Sequence, residues 1–307
     1  MTSNKNQAVL LGLLSALFFS FTFIFNRLMA VNGGSWIWSA SLRFLWMLPI
    51  FFLIVFWRKN LGQLLKELQR HPIQWLLWST VGFGLFYSTL TYAAAYGPSW
   101  LIAGTWQITI VAGLLLSPLL SQGTQTKGIP FSSFLYSALI LLGIGMMQLS
   151  QAENLSIKEL GTGTLPVIVA AFAFPLGNRK MMQLVDGRLD AYQRILGMLI
   201  GSLPFWILLV CVEWAGGQGL PSSSQALQTL AVAISSGLIA TALFFSATNQ
   251  VRKDEKSLAA VEATQASEVV FSLIGELVIF SPVFPGYYTL AGIGLVVLGM
   301  LLHSRKN

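Results

Sequence analysis

Apolar residues fall into runs of about 20 residues, the length a helix needs to cross a hydrocarbon core of about 30 Å. The runs lack the period-2 alternation of a membrane barrel. They predict helices at roughly 8–30, 36–57, 73–95, 99–120, 131–150, 160–181, 190–213, 226–249, 257–280 and 286–303, with ends uncertain by about 2–4 residues. One polar interval differs. Leu61, Leu64, Leu65 and Leu68 recur at helical spacing among Lys66, Glu67 and Arg70, which predicts a short amphipathic helix on the membrane surface or, failing that, a polar linker. The first run, from Ala8 to Ala30, is long for a signal-peptide core and has no clear small-x-small cleavage site.

Composition agrees. Of 307 residues, 55% are hydrophobic and 9% charged, against roughly 25% charged in soluble domains. The net charge of +7 is not a nucleic-acid signal, because the basic residues sit in short connections. If the N-terminus and the even-numbered connections share one side, that side collects Lys5, Arg58, Lys59, Lys66, Arg70, Lys127, Arg179, Lys180, Arg188, Arg194, Arg252, Lys253, Lys256, Arg305 and Lys306. The other side holds Lys158, while Arg27 and Arg43 lie within or at the ends of helices. Positive residues stay cytoplasmic, so both termini are expected on the cytoplasmic side of a multi-pass protein of the cytoplasmic membrane. Cys211 is the single cysteine, and His71 and His303 lie at run edges, so neither a disulfide nor a metal site is expected.

The chain also repeats itself. Ala40-Ser-Leu-Arg43-Phe-Leu45-Trp-Met47-Leu48 and Ala191-Tyr-Gln-Arg194-Ile-Leu196-Gly-Met198-Leu199 share A-x-x-R-x-L-x-M-L. Asn26-Arg27-Leu-Met29 precedes the first, and Asn178-Arg179-Lys-Met181 the second. Gln107-Ile-Thr109 corresponds to Gln265-Ala-Ser267, and Leu142-Gly143 to Leu298-Gly299. Four matches in the same order predict two five-helix repeats, 1–150 and 151–307. An odd number of helices per repeat inverts the second against the first. The expected fold is therefore all-α, with ten transmembrane helices as two inverted repeats. Such halves can exchange an inward-open for an outward-open state around a central site.

Three segments carry a family resemblance: Gly237-Leu-Ile-Ala-Thr241-Ala-Leu243-Phe, Ala260-Val-Glu262-Ala-Thr-Gln265-Ala-Ser-Glu268-Val-Val-Phe271, and Leu290-Ala-Gly292-Ile-Gly294. They look like the G-x-x-x-T-x-L-x-Y, A-x-x-x-x-x-x-x-E-P-V-F and L-x-G-x-x-x-I patterns of the ten-helix branch of the drug/metabolite transporter superfamily. Within it, the chain resembles the multidrug resistance efflux transporters over nearly its whole length. The resemblance implies small-molecule transport without a cofactor. Val269 stands where the family often has Pro, and the acidic residue usual at the outer end of the ninth helix is displaced, with Glu276 nearby. Small four-helix relatives exchange protons at a glutamate in their first helix. The first and sixth helices here have none, so that mechanism does not carry over.

A charge near the bilayer centre costs about 2.5–3.5 kcal/mol on insertion scales, so each needs a reason. Glu262, Glu268 and Glu276 share the ninth helix; at about 100° per residue they fit one broad face. Glu268 near mid-membrane either binds a cation or proton, or is structural. Glu262 is a further candidate for substrate binding or coupling or else pairs with Arg179 or Arg194 on the inner side, and Glu276 is expected to pair with Arg27 or Arg43 on the outer side. Gln107 and Gln265 either line a central polar site or bond between helices. Trp106, Tyr87 and Tyr92 either wall a site for a flat or cationic substrate or simply pack. Trp36, Trp38, Trp57, Trp75 and Trp100 are read as interface anchors, and Pro175 as a hinge.

These readings predict a secondary transporter exporting a drug-like cation or a metabolite, with a proton or other ion as possible partner. A metabolite or amino-acid permease is the alternative. An intramembrane enzyme is the distant one, because no nucleophile–base pair or aspartyl dyad is visible. Two fused repeats already supply both halves of a path, so one chain suffices as a monomer.

Overall fold

The computed structural model describes residues 2–120, 131–152, 157–217, 219–251, 257, 260–261, 263–280 and 285–306. Among them there are helices and no strand. The helices are α1 (Thr2–Val31), α2 (Trp36–Trp57), α3 (Leu61–Arg70), α4 (72–93), α5 (99–120), α6 (Phe131–Ala152), α7 (Ile157–Val185), α8 (Ala191–Ala215), α9 (223–251), α10 (264–280) and α11 (Tyr287–Lys306). Their positions follow the apolar runs. Six stretches among the described residues are long and apolar enough to cross a membrane: Asn6–Val31, Trp36–Trp57, Ser99–Leu116, Gly161–Val185, Ala191–Ala215 and Ser223–Thr248. Shorter apolar stretches run over Leu135–Ser150 and Tyr287–Leu302.

The distribution of side chains is inverted relative to a soluble protein. Large apolar residues such as Leu10, Phe52, Phe56, Leu149, Leu208 and Val278 face outward, while Ser15, Asn26, Arg43, Gln107, Ser202 and Glu268 are buried. A continuous apolar exterior is suited to lipid, and the chain is a multi-pass membrane protein.

Four helices change pitch within their length. α4 contains a π turn over Thr80–Leu85, and α9 one over Ala233–Ala240. α5 is broken at Gln107, between Ser99–Trp106 and Ile108–Leu120. α10 opens with a 3₁₀ turn, Thr264–Ala266, before Ser267–Phe280. Such irregularities free backbone groups from the i→i−4 ladder and concentrate at functional sites. By contrast, Pro175 lies within continuous helix α7.

Packing pairs the helices. α6 lies along α11, α2 along α8, α1 along α9 and α4 along α7, while α5 packs on α7 and α10 on α1. Glycines set the closest approaches. A Cβ at Gly177 of α7 would collide with the Gly82 backbone in the π turn of α4, and one at Gly143 would meet the Gly292 carbonyl oxygen at 2.6 Å. Substituting either glycine forces the backbones apart.

The amphipathic segment is a helix as expected, but it docks on protein. Leu64 is fully buried, in reach of Gly197 on α8. Glu67 accepts two bonds from Arg188, Nε to Oε1 at 2.8 Å and Nη2 to Oε2 at 3.2 Å. This bidentate pair holds the Glu67 carboxyl below its ordinary value. Beside it, Asp190 caps α8 in a reciprocal box with Gln193 and meets Arg58 at 3.2 Å. Among the expected interface tryptophans, Trp57 is 74% exposed, but Trp38, Trp75 and Trp100 are buried. The Trp75 ring fills the notch left by Gly197, and its Nε1 donates to the Glu67 carbonyl oxygen at 3.1 Å. This glycine on a neighbouring helix leaves room for the ring within protein rather than at lipid headgroups.

Candidate functional site

The helix interruptions bring the amide pair into view. Gln107 is buried at the break in α5 and its Nε2 donates to Ala103 O at 3.1 Å, within its own helix. Gln265 lies in the 3₁₀ turn of α10, half-buried, and its Nε2 is buried without an acceptor. One turn further, Glu268 is 5% exposed. Among the described residues no hydrogen bond or ion pair reaches its carboxylate. Inside hydrocarbon an unpaired carboxylate is unfavourable, and a bound proton or cation would neutralise it.

Glu276 and the arginines do not pair as expected. Glu276 accepts from the Ser99 backbone N–H at 2.8 Å and from the Ser99 hydroxyl, at the start of α5. Arg27 Nη1 donates to Ala94 O at 3.4 Å and Ala95 O at 3.2 Å, at the end of α4. A helix start presents unbonded N–H groups and a partial positive charge; a helix end presents the reverse. Each charge thus meets a helix terminus of opposite polarity across the 94–98 turn, and the two attract each other electrostatically without a direct ion pair. Arg179 also meets a backbone carbonyl, its Nη1 donating to Gly113 O at 2.7 Å, but within α5 rather than at a helix end. No ion pair or side-chain hydrogen bond joins Arg194 to a described residue. Glu262 lies outside the described residues.

The aromatic candidates divide. Tyr87 is fully buried, and Trp106 joins it through Phe86, whose ring centroid lies 5.9 Å from Tyr87 and 5.1 Å from Trp106. Tyr92 belongs elsewhere, against Trp36 at 5.4 Å and Tyr96 at 5.0 Å. Arg43 enters the Tyr87 cluster: its Cζ lies 4.1 Å from the Tyr87 ring centroid. The Tyr87 hydroxyl accepts from Asn26 Nδ2 at 3.1 Å.

One buried acid escaped the sequence reading. Glu213 of α8 is 7% exposed, and its Oε1 is buried without a partner. Its signal was an acidic residue inside the apolar run Ala191–Ala215. Among the described residues no cluster of metal-ligating side chains forms.

Comparison with known proteins extends this picture. Residues 6–307 match the family described as "EmrE: Putative multidrug resistance efflux transporter". The chain is 51% identical over 306 residues to "Uncharacterized protein YjlA" of Bacillus subtilis (strain 168), covering 97% of this chain and 94% of that protein. It is 46% identical over 294 residues to "Uncharacterized 42.1 kDa protein in intracellular alkaline protease 3'region" of Shouchella clausii, covering 92% of this chain and 77% of that protein. A solved structure titled "Crystal structure of protein" superposes with a TM-score of 0.64 at 15% identity, over 97% of this chain and 96% of that one, which speaks for a shared fold. With buried polar residues inside an apolar exterior and a family match over nearly its whole length, the chain belongs to the multidrug resistance efflux transporter family.

Proposed function

We propose that the protein is a secondary transporter that exports a small organic molecule across the cytoplasmic membrane by alternating access. The observation that carries this reading is Glu268: a carboxylate 5% exposed, without a described partner, one turn beyond a helix interruption. Discontinuous helices at mid-span are where transporters bind substrate and coupling ion. Glu268 would take the proton or cation, and Gln265, with its free amide, would contact the substrate. Gln107, Trp106 and Tyr87 complete the proposed lining; Glu262 remains a candidate by sequence.

Alternating access needs two related halves, and the helix pairing supports them. We read the chain as ten transmembrane helices in two inverted repeats, 1–150 and 151–307, with both termini inside. If α3 is set aside, α4 packing on α7 is the counterpart of α9 packing on α1, and α5 on α7 that of α10 on α1. The α2–α8 and α6–α11 pairs each map onto themselves. The π turns fall in counterpart helices, as do the interruptions at Gln107 and Thr264–Ala266.

The test is thermal stabilisation of the purified chain by lipophilic cations, amino acids and nucleosides, for wild type and Glu268→Gln. A ligand that binds the folded state raises its stability. Stabilisation by a lipophilic cation that the variant loses supports multidrug export. Equal stabilisation of both by a neutral metabolite removes Glu268 from the substrate site. A metabolite or amino-acid permease is the second reading, favoured by the buried, unpaired Arg43.

A further inference from the structure

We propose that Arg43 is an anion receptor, which holds the carboxylate of a small organic acid with an apolar body. The proposal rests on the transport reading and names its substrate class. Four other arginines find oxygen acceptors: Arg27 and Arg179 at carbonyls, Arg58 and Arg188 at carboxylates. Arg43 is more deeply buried than these, at 8% exposure, and finds none. Its Nε is buried without an acceptor, and no described residue offers its guanidinium a hydrogen bond or a carboxylate.

What surrounds it is aromatic. The guanidinium carbon lies 4.1 Å from the Tyr87 ring centroid and 5.7 Å from that of Phe44. Phe44 in turn stacks on Trp206 at 4.6 Å and meets Phe83 at 5.2 Å. A ring face spreads the cation's charge but supplies no in-plane lone pair, so the N–H edge is left unsatisfied. A carboxylate binds at that edge through two parallel hydrogen bonds. The neighbouring rings suit an apolar body, while an ammonium here would meet a like charge of low solvation. The Tyr87 ring is fixed from behind by the Asn26 amide on its hydroxyl at 3.1 Å, so the shelf is built before any ligand arrives.

Arg43 and Glu268 are separate stations. Ile24 of α1 abuts Gly275 of α10, and Asn26 lies just beyond it. Glu268 is seven residues back from Gly275, about 10 Å along the helix. An anion at Arg43 and a proton at Glu268 would thus be held at different depths, which allows both to be carried in one cycle.

The experiment uses the purified full chain and three probe acids: benzoate, phenylacetate and indole-3-acetate. Binding is read by thermal shift, with benzamide and benzylamine as neutral and cationic counterparts of benzoate. At least one acid should stabilise the protein, and both counterparts should fail. Arg43→Gln should weaken that acid at least tenfold, Arg43→Lys less, and Tyr87→Phe less than threefold because the ring face remains. The proposal falls if none of the acids binds, if benzamide or benzylamine binds as well as benzoate, or if a cooperatively folding Arg43→Gln binds the acid as wild type does. Should Arg43→Gln not fold, the wild-type ligand series decides alone. Solute flux in proteoliposomes separates this from the transport reading. Arg43-dependent binding without flux of any solute retains the receptor and removes transport; flux that depends on Glu268, with no acid bound, does the opposite.

Discussion

The interruptions of α5 and α10 each carry a glutamine, Gln107 and Gln265, yet they differ in how their polar groups are satisfied. At the break in α5, Gln107 closes on its own helix through Ala103 O, and Thr105 accepts from Gln148 of α6 at 2.9 Å. At the turn in α10, the Gln265 amide nitrogen is buried without an acceptor, and Glu268 follows without a partner. Equal backbone breaks therefore do not make equal sites. A satisfied polar group stabilises structure, while an unsatisfied one in a low-dielectric interior has most to gain from a ligand. In the proposed mechanism the asymmetry makes α10 the main working interruption, with α5 the better satisfied of the two.

The largest effect should come from the close packing at the π turns of α4 and α9. Gly177→Ala drives a methyl into the Gly82 backbone of the first π turn and should cost about 2 kcal/mol. Gly237→Ala, in the second, meets only the Met47 side chain, which can move. Its melting temperature should fall less than half as far, and equal losses would erase the distinction between backbone and side-chain contact. Next, Glu268→Gln should reduce substrate flux in proteoliposomes at least tenfold, while the melting temperature holds or rises, because a costly buried charge is removed. Smaller still, Gln107→Leu should lower stability by about 1 kcal/mol and reduce flux less than Glu268→Gln does. Gln265→Leu should do the reverse, leaving stability near wild type and weakening ligand-induced stabilisation.

The smallest effect lies outside the bilayer. Arg188 holds the Glu67 carboxyl below its ordinary value of 4.5. A depressed folded value contributes stability that is present above the unfolded value and lost as pH falls through the folded one. Melting temperature should therefore decline below about pH 4.5, and Glu67→Gln should flatten that part of the profile. An unchanged profile would detach α3 from the energetics of the fold.

Helix positions were legible because they depend on local quantities. Trp36–Trp57 and Leu61–Arg70 emerged where apolar length and helical spacing put them. Glu268 and the two glutamines stood out for a related reason: a polar group in an apolar run is conspicuous in any chain. Partners were less legible. Arg27 and Glu276 looked like mates, but each found a helix terminus, and a terminus exists only once α4 and α5 turn at residues 94–98. Glu213 passed unnoticed although it obeys the same rule of conspicuousness.

The sequence by itself determined the apolar helices, the expectation of a repeat and the short inventory of charges that hydrocarbon must tolerate. These follow from composition and period, which act through the backbone and need no knowledge of neighbours. Only the tertiary structure decided which charges are satisfied: Glu276 by Ser99, Arg27 by carbonyl oxygens, while Arg43 meets a ring face with its Nε left without an acceptor, and Glu268 meets no described group. Satisfaction is a matter of a few ångströms and a direction, and both are set by how distant helices cross.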